Sequence, residues 1–256
     1  ARNTIGSGSR ELVLTGVNMS RYRAPSGEDF VDLIEAILEL PGDFRLRISS
    51  LEPDRLTDRF IELFDHPKLA PHLHLCAQSG SDHILTAMRR MYTVDTFREI
   101  VGRIRSRVPS FNLTTDIVVG FPGETDEQFE KSVSLIRELN AGHVHVFPFS
   151  ARGGTPAARM DRSMSDVTIR SRSERIRTVA ERFKRAYRIS LVGSHQRVLV
   201  ERVIDTDGTF IASGFGQHYV PVEVPTRKAI ERNRFYNVVI EEVNESRDPS
   251  LIGRLE

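Results

Sequence analysis

The chain of 256 residues contains one cysteine and no tryptophan, and only 7% of it is aromatic. A single thiol, Cys76, excludes an internal disulfide framework and any zinc or iron–sulfur site assembled from several cysteines of this chain. No apolar run approaches the roughly 18 residues of a membrane-spanning helix, and no secretory signal pattern opens the sequence. No membrane contact is therefore expected, and a cytoplasmic location is the default reading. A surplus of one charge is missing as well: 36 Lys and Arg face 35 Asp and Glu, so net charge selects no partner. The G-x-S-x-G elbow of serine hydrolases, the dinucleotide fingerprint and the phosphate loop with its Lys-Ser/Thr are all absent. What remains is a globular composition, 39% hydrophobic and 28% charged, sufficient for one large domain and a small one.

From Glu11 to Ser150 short apolar strands alternate with amphipathic helices. Strands are expected at ELVLTG (11–16), RLRISS (45–50), HLHLCA (72–77), NLTTDIVVG (112–120) and HVHVFPFS (143–150). Helical spacing connects Phe30, Ile34, Ile37 and Leu38, then Phe60, Ile61 and Leu63, then Ile84, Leu85 and Met88, and then Phe97, Ile100, Val101 and Ile104. Repeated units of this kind predict a parallel sheet with right-handed crossovers, either doubly wound or rolled into a barrel. After Arg152-Gly153-Gly154-Thr155-Pro156 a long helix is expected over about 166–190, with a strongly basic polar face. From Leu191 to Glu256 the texture changes to short alternating segments, the pattern of a small all-β barrel or sandwich. The domain reading is 1–10 as a linker-like or truncated start, 11–190 as the β/α unit with its basic helix, and 191–256 as the β domain. Because GSGS runs directly into a strand, part of the native amino-terminal region is expected to be missing or replaced.

In both parallel architectures ligands bind at the carboxyl ends of the strands. Four such ends here are polar or glycine-rich: Thr15-Gly16-Val17-Asn18, Ser49-Ser50, Gln78-Ser79-Gly80-Ser81 and Gly120-Phe121-Pro122-Gly123-Glu124. Their succession predicts one shared small-molecule site. In DIVVGFPGETDEQF (116–129) the β-branched run, two glycines and a Thr125/Gln128 capping box give strand, loop and helix in turn. Two H-x-H pairs, His72/His74 and His143/His145, place each pair on one side of its strand; with Asp116 or Glu124 they could hold a divalent metal in a barrel hydrolase. Histidines satisfied in a core would show the same spacing. The basic helix carries Arg170, Arg177, Lys184, Arg185 and Arg188, which fits either a solvated face or contact with a polyanion, and Arg227 and Lys228 offer the same choice in the β domain. A non-catalytic RNA-binding module therefore stays open beside an enzyme.

The strings ELVLTGVN, RLRISSLEPDRL, PHLHLCAQSGSDHILTAMRRMYT, DIVVGFPGETDEQF and HVHVFPFSARGGTPAARM, in this order, closely resemble the tRNA methylthiotransferases of the radical S-adenosylmethionine superfamily. Their pairing looks most like the branch that forms the 2-methylthio derivative of N6-threonylcarbamoyladenosine at tRNA position 37. The resemblance runs from about Glu11 to the carboxyl terminus and implies a partial parallel β/α barrel, TIM-like, ending in a tRNA-gripping TRAM-like β domain. It implies that Thr15, Gly16 and Asn18 meet the methionyl amine of S-adenosylmethionine, that Arg47, Ser49 and Ser50 lie near its ribose, and that Gln78, Ser79 and Ser81 complete the site. Val118, Gly120 and Phe121 would pack against and hydrogen-bond its adenine. The implied partners are the tRNA anticodon stem-loop, contacted by the basic residues above, and an electron donor such as flavodoxin or ferredoxin. The family also uses two four-iron four-sulfur clusters. Their C-x-x-x-C-x-x-C and amino-terminal ligands have no counterpart here, which implies that this chain alone is inactive.

Overall fold

The computed structural model describes residues 1–160, 164–246 and 248–256. Five parallel strands, β1 (Glu11–Leu14), β2 (Arg45–Leu51), β3 (Leu69–Leu75), β4 (Asn112–Val119) and β5 (His143–Pro148), lie side by side in chain order. A doubly wound sheet reverses its order at a switch point, and this one does not. The strands are singly wound, as in a barrel, and the sheet is open. Strand pairing fixes the alternation that spacing alone left ambiguous: Leu73 pairs with Leu113, His74 with Thr114, and Asp116 with His145.

Before β1, Arg2–Gly6 forms a helix, α1, and Ile5 packs against the main core, so the linker-like start is structured over these residues. The helices α2 (Phe30–Leu38), α3 (Asp58–Glu62), α4 (Asp82–Ala87), α5 (Val94–Arg107) and α6 (Asp126–Leu139) connect the strands. They bury Ile34, Phe60, Leu85, Phe97, Ile104, Val133 and Ile136 in one core with Leu46, Ile48, Leu73, Leu75, Leu113, Ile117 and Val119 of the strands. The predicted capping box of α6 is formed: Thr125 accepts from Gln128 N, and the Gln128 side chain accepts from Thr125 N. Each such cap satisfies otherwise orphaned amides at a helix start.

The long helix α7 (Asp166–Ser190) connects two cores. Ile176 and Ala180 join the sheet's core, whereas Tyr187 and the following Leu191 join a second core with Val198, Val222, Val224 and Val238. That second core fills a closed five-stranded barrel of β6 (His195–Thr206), β7 (Thr209–Phe215), β8 (Pro221–Thr226), β9 (Arg234–Val243) and β10 (Leu251–Leu255), ordered β10-β8-β7-β6-β9. Closure leaves no free edge. The barrel docks on the sheet through polar contacts. Arg45, 4% exposed, pairs with Glu11 at 2.6 Å and donates to the carbonyls of Arg197 and Phe215. Asn112 Nδ2 donates to His218 O at 2.7 Å, and the Arg47 guanidinium lies 3.7 Å from the centre of the Tyr219 ring.

Candidate functional site

The two faces of the sheet differ in kind. One is apolar and covered by helices; the other carries Arg47, Ser49, His72, His74, Asn112, Thr114, Asp116, His143 and His145 and lines a cavity of about 610 Å³. The β domain closes part of this cavity with Phe215 and Tyr219, which stack with ring centres 4.8 Å apart. Both H-x-H pairs therefore point the same way, toward the cavity. They do not form a four-histidine metal centre, however. His72 and His74 share the Thr114 hydroxyl at 3.2 and 3.0 Å, while His143 and His145 pack ring against ring at 4.4 Å.

Burial favours the neutral form of His72, His143 and His218. Desolvation, reinforced by Arg47, lowers His72 to about 3; desolvation and the neighbouring His145 lower His143 to about 4; desolvation and Arg45 lower His218 to about 4. The ordinary value is 6.5. A depressed histidine means that the unfolded chain takes up protons first, so stability is complete above about pH 6.5 and is lost as the pH falls toward 4. Each such group costs about 1.4 kcal/mol per pH unit inside that window. Urea midpoints measured between pH 7 and 4.5 are expected to fall steeply, and His218→Gln is expected to flatten the profile.

A second cavity, about 350 Å³, opens at the carboxyl ends of β3, β4 and β5 and is lined by Gln78, Met88, Val118, Phe121, Phe149 and Thr155 among others. Phe121 and Phe149 meet edge to face at 5.2 Å. Gln78, in a left-handed conformation (φ 63°), stitches the loop after β3 to β4: its N–H donates to Asp116 O and its carbonyl accepts from Val118 N. This mostly apolar cleft, walled by aromatic rings, has the size and lining of a small-molecule site.

Of the residues assigned to that cofactor, Gln78, Val118 and Phe121 are gathered here, while Arg47, Ser49 and Ser50 line the larger cavity. Gly120 borders a third cavity with Pro122, Gly123 and Glu124. Thr15, Gly16 and Asn18 lie exposed beyond β1. Ser79 and Ser81, 1% and 3% exposed, line none of these cavities; Ser79 Oγ lies 3.4 Å from Ser132 Oγ and accepts from Ser81 N. The N–H groups of Val118 and Gly120 are already committed, to Gln78 O and to Glu124 Oε2. What these two residues offer a base is therefore surface and carbonyls, not amide donors.

Glu124 holds this loop in place, through a partner on α7 that its sequence neighbourhood does not reveal. Gly120 N donates to Glu124 Oε2 at 3.0 Å, and Arg172 of α7 donates to the same oxygen at 2.7 Å and to Asp126 at 2.6 Å. Burial raises the Glu124 carboxyl, and these donors oppose that rise. Gly120 is left-handed (φ 77°), and a Cβ there would meet Ile169 of α7 at 2.7 Å.

On the basic helix, Arg170, Arg177 and Arg185 are exposed, as are Arg227 and Lys228 beyond β8. Lys184 and Arg188 are not part of that surface. They are 5% and 6% exposed and converge on Asp248 at 2.7 and 3.1 Å, clamping the β9–β10 loop to α7. An exposed wheel position and a position under a distant loop look alike in sequence, and burial removes both cations from solvent.

An iron–sulfur cluster needs several thiolates. The residues present do not fit one, because Cys76 is the sole cysteine and lies among histidine, threonine and aspartate side chains.

The Radical SAM superfamily profile matches residues 3–136. Threonylcarbamoyladenosine tRNA methylthiotransferase MtaB of Thermotoga maritima is 35% identical over 239 residues, 93% of this chain and 54% of that protein. The tRNA-2-methylthio-N(6)-dimethylallyladenosine synthase of Paraburkholderia xenovorans is 39% identical over 213 residues, 80% of this chain and 46% of that protein. The corresponding synthase of Cupriavidus necator is 36% identical over 255 residues, 97% of this chain and 53% of that protein. The chain thus spans about half the length of the curated relatives it matches. With more than half of its residues inside the profile and a parallel sheet opening its cleft at the carboxyl edge, the chain belongs to the radical SAM superfamily.

Proposed function

We propose that this chain serves a tRNA methylthiotransferase that converts N6-threonylcarbamoyladenosine at position 37 of tRNA to its 2-methylthio derivative by radical chemistry. The observation that carries this reading is the 35% identity over 93% of the chain to a relative named for that nucleoside. Bound S-adenosylmethionine supplies the oxidising adenosyl group and the methyl group for reactions of this class. The residues of the chain do the placing. Phe121, Phe149 and Val118 enclose the adenine, Gln78 fixes the floor of the cleft, and the Glu124–Arg172 pair holds the GFPGE loop against them. Arg47, Ser49 and Ser50 face the ribose side, and Thr15, Gly16 and Asn18 receive the methionyl end. The residues of this chain do not supply ligands for the iron–sulfur clusters of the family; a low-potential carrier such as flavodoxin or ferredoxin is the electron source.

In this reading the closed β barrel is a TRAM-like domain, and it holds the anticodon stem-loop together with the exposed face of α7. Each phosphate contact contributes close to one unit to the salt dependence of binding. Replacing Arg170, Arg177 and Arg185 with alanine is expected to weaken tRNA binding and to reduce the slope of log affinity against log salt by about two to three. A slope unchanged from wild type contradicts this placement. The activity itself is tested by nucleoside mass spectrometry of tRNA from a strain deleted for the gene. Loss of the 2-methylthio derivative with N6-threonylcarbamoyladenosine retained, and its return on complementation, is the expected result; an unchanged nucleoside profile refutes the proposal.

A further inference from the structure

The inward face of the sheet brings together three unlike donor groups that the cofactor cleft does not use. His74 and Cys76 stand two apart along β3 and its end, and Asp116 faces them from β4; their ligand atoms all lie within 4.8 Å of one another. His74 Nε2 is 3.2 Å from one Asp116 oxygen, and Cys76 Sγ is 3.9 Å from the other. Zinc bonds of about 2.0–2.3 Å in a tetrahedron place neighbouring donors roughly 3.3–3.7 Å apart; the His74–Asp116 separation is close to that spacing, and taking one atom from each residue the three donors lie within 4.8 Å, so they must draw together by up to about 1 Å to close on a metal. The imidazole is already oriented, since Nδ1 is held by the Thr114 hydroxyl at 3.0 Å and Nε2 is left toward the carboxylate. Such an outer contact is what metal-bound histidines commonly have. The His145 ring lies 5.5 Å from His74, and His74, Asp116 and His145 all border the large cavity.

The geometry points to a mononuclear site for a borderline divalent transition metal, of the zinc class, formed by His74 Nε2, Cys76 Sγ and an Asp116 oxygen, with its fourth position open to the cavity or filled by His145. The donor set is mixed nitrogen, sulfur and oxygen, which favours zinc or cobalt over the all-oxygen preference of calcium and magnesium. The site is neither of the H-x-H pairs, because each pair contributes at most one of its histidines. A free thiol has an ordinary pKa of about 8.5 and carries its proton at neutral pH. Coordination replaces the S–H bond by a metal–sulfur bond and releases one proton to solvent, with no change of oxidation state. This inference stands apart from the proposed methylthiolation, since it uses none of the residues assigned to the adenosyl cleft.

Cobalt(II) titration of the full chain under reducing conditions provides the test. One equivalent is expected to bind, giving the near-ultraviolet charge-transfer absorption of a cobalt–thiolate bond and releasing one proton per metal to a pH indicator, and zinc is expected to displace it. Cys76→Ser is expected to abolish that absorption and weaken binding at least tenfold, His74→Gln to weaken it comparably, and His83→Asn, on the exposed side of α4, to change nothing. Binding without the charge-transfer band, or saturation only at a large excess of cobalt, overturns the proposal. The band of the wild-type chain decides this on its own, even where a variant folds poorly.

Discussion

Arg172→Met is expected to lower the free energy of unfolding by about 3–5 kcal/mol, because it leaves the Glu124 carboxylate buried without its counter-charge. The Glu124 and Arg172 side chains are 1% and 9% exposed, and they meet at 2.7 Å. Little water can replace the guanidinium. Arg172 also lies over the Phe129 ring of α6, 4.9 Å from its centre, so its loss loosens the junction of α6, α7 and the loop after β4 together. The sign of the pH dependence distinguishes this cause from a simple packing defect. Burial already raises Glu124, and without Arg172 it rises further, so protonation relieves the penalty and the deficit of the variant shrinks as pH falls. The double variant Glu124→Gln/Arg172→Met is expected to recover most of the loss. Urea unfolding at pH 7 and pH 5 checks both statements; a deficit below about 1 kcal/mol, or one that does not change with pH, contradicts the role given to this pair.

The second large effect is at Gly80. A Cβ added there would lie 2.4 Å from Lys131 O and 2.6 Å from Ser132 Cα, both main-chain atoms of α6. No flexible side chain can give way. The contact is also polar, since Gly80 N donates to Ser132 Oγ at 2.9 Å. Gly80→Ala is expected to cost about 3 kcal/mol or more and to displace Gln78, opening the cleft it lines. Gly102→Ala within α5 is the control. Nothing lies within 4 Å of its added Cβ, and alanine is expected to stabilise that helix by about 0.5–1 kcal/mol. Thermal melts of the two variants should move in opposite directions.

The architecture was largely legible because strand and helix periodicities are local. Leu73 and Leu75 alternate with His72 and His74, and Phe129, Val133 and Ile136 recur at helical spacing; the structure keeps both patterns. The last strand, Leu251–Leu255, was not foreseen, since five residues with one glycine carry little period of their own and pair in register only once β8 and β9 are in place. The site was harder to read. Alternation says that His72 and His74 share a face but not which face is covered by helices, and only strand pairing decides it. Lys184 and Arg188 looked like their exposed neighbours because their partner, Asp248, lies about sixty residues away. The serines of QSGS were read as ligand contacts, whereas Ser79 serves the close approach of the loop to α6. The surroundings of Cys76 were hidden in the same way, because the carboxylate beside it comes from another strand.

On the proposed function, the cleft at the carboxyl ends of β3, β4 and β5 receives the adenosyl group. Equilibrium binding of S-adenosylmethionine to the chain, wild type against Phe121→Ala, tests it most directly. Removing one aromatic wall from a stacked base is worth about 1–3 kcal/mol, so the dissociation constant is predicted to rise roughly 5- to 150-fold while tRNA affinity stays unchanged. An unchanged dissociation constant in a variant that retains its fold would contradict the account.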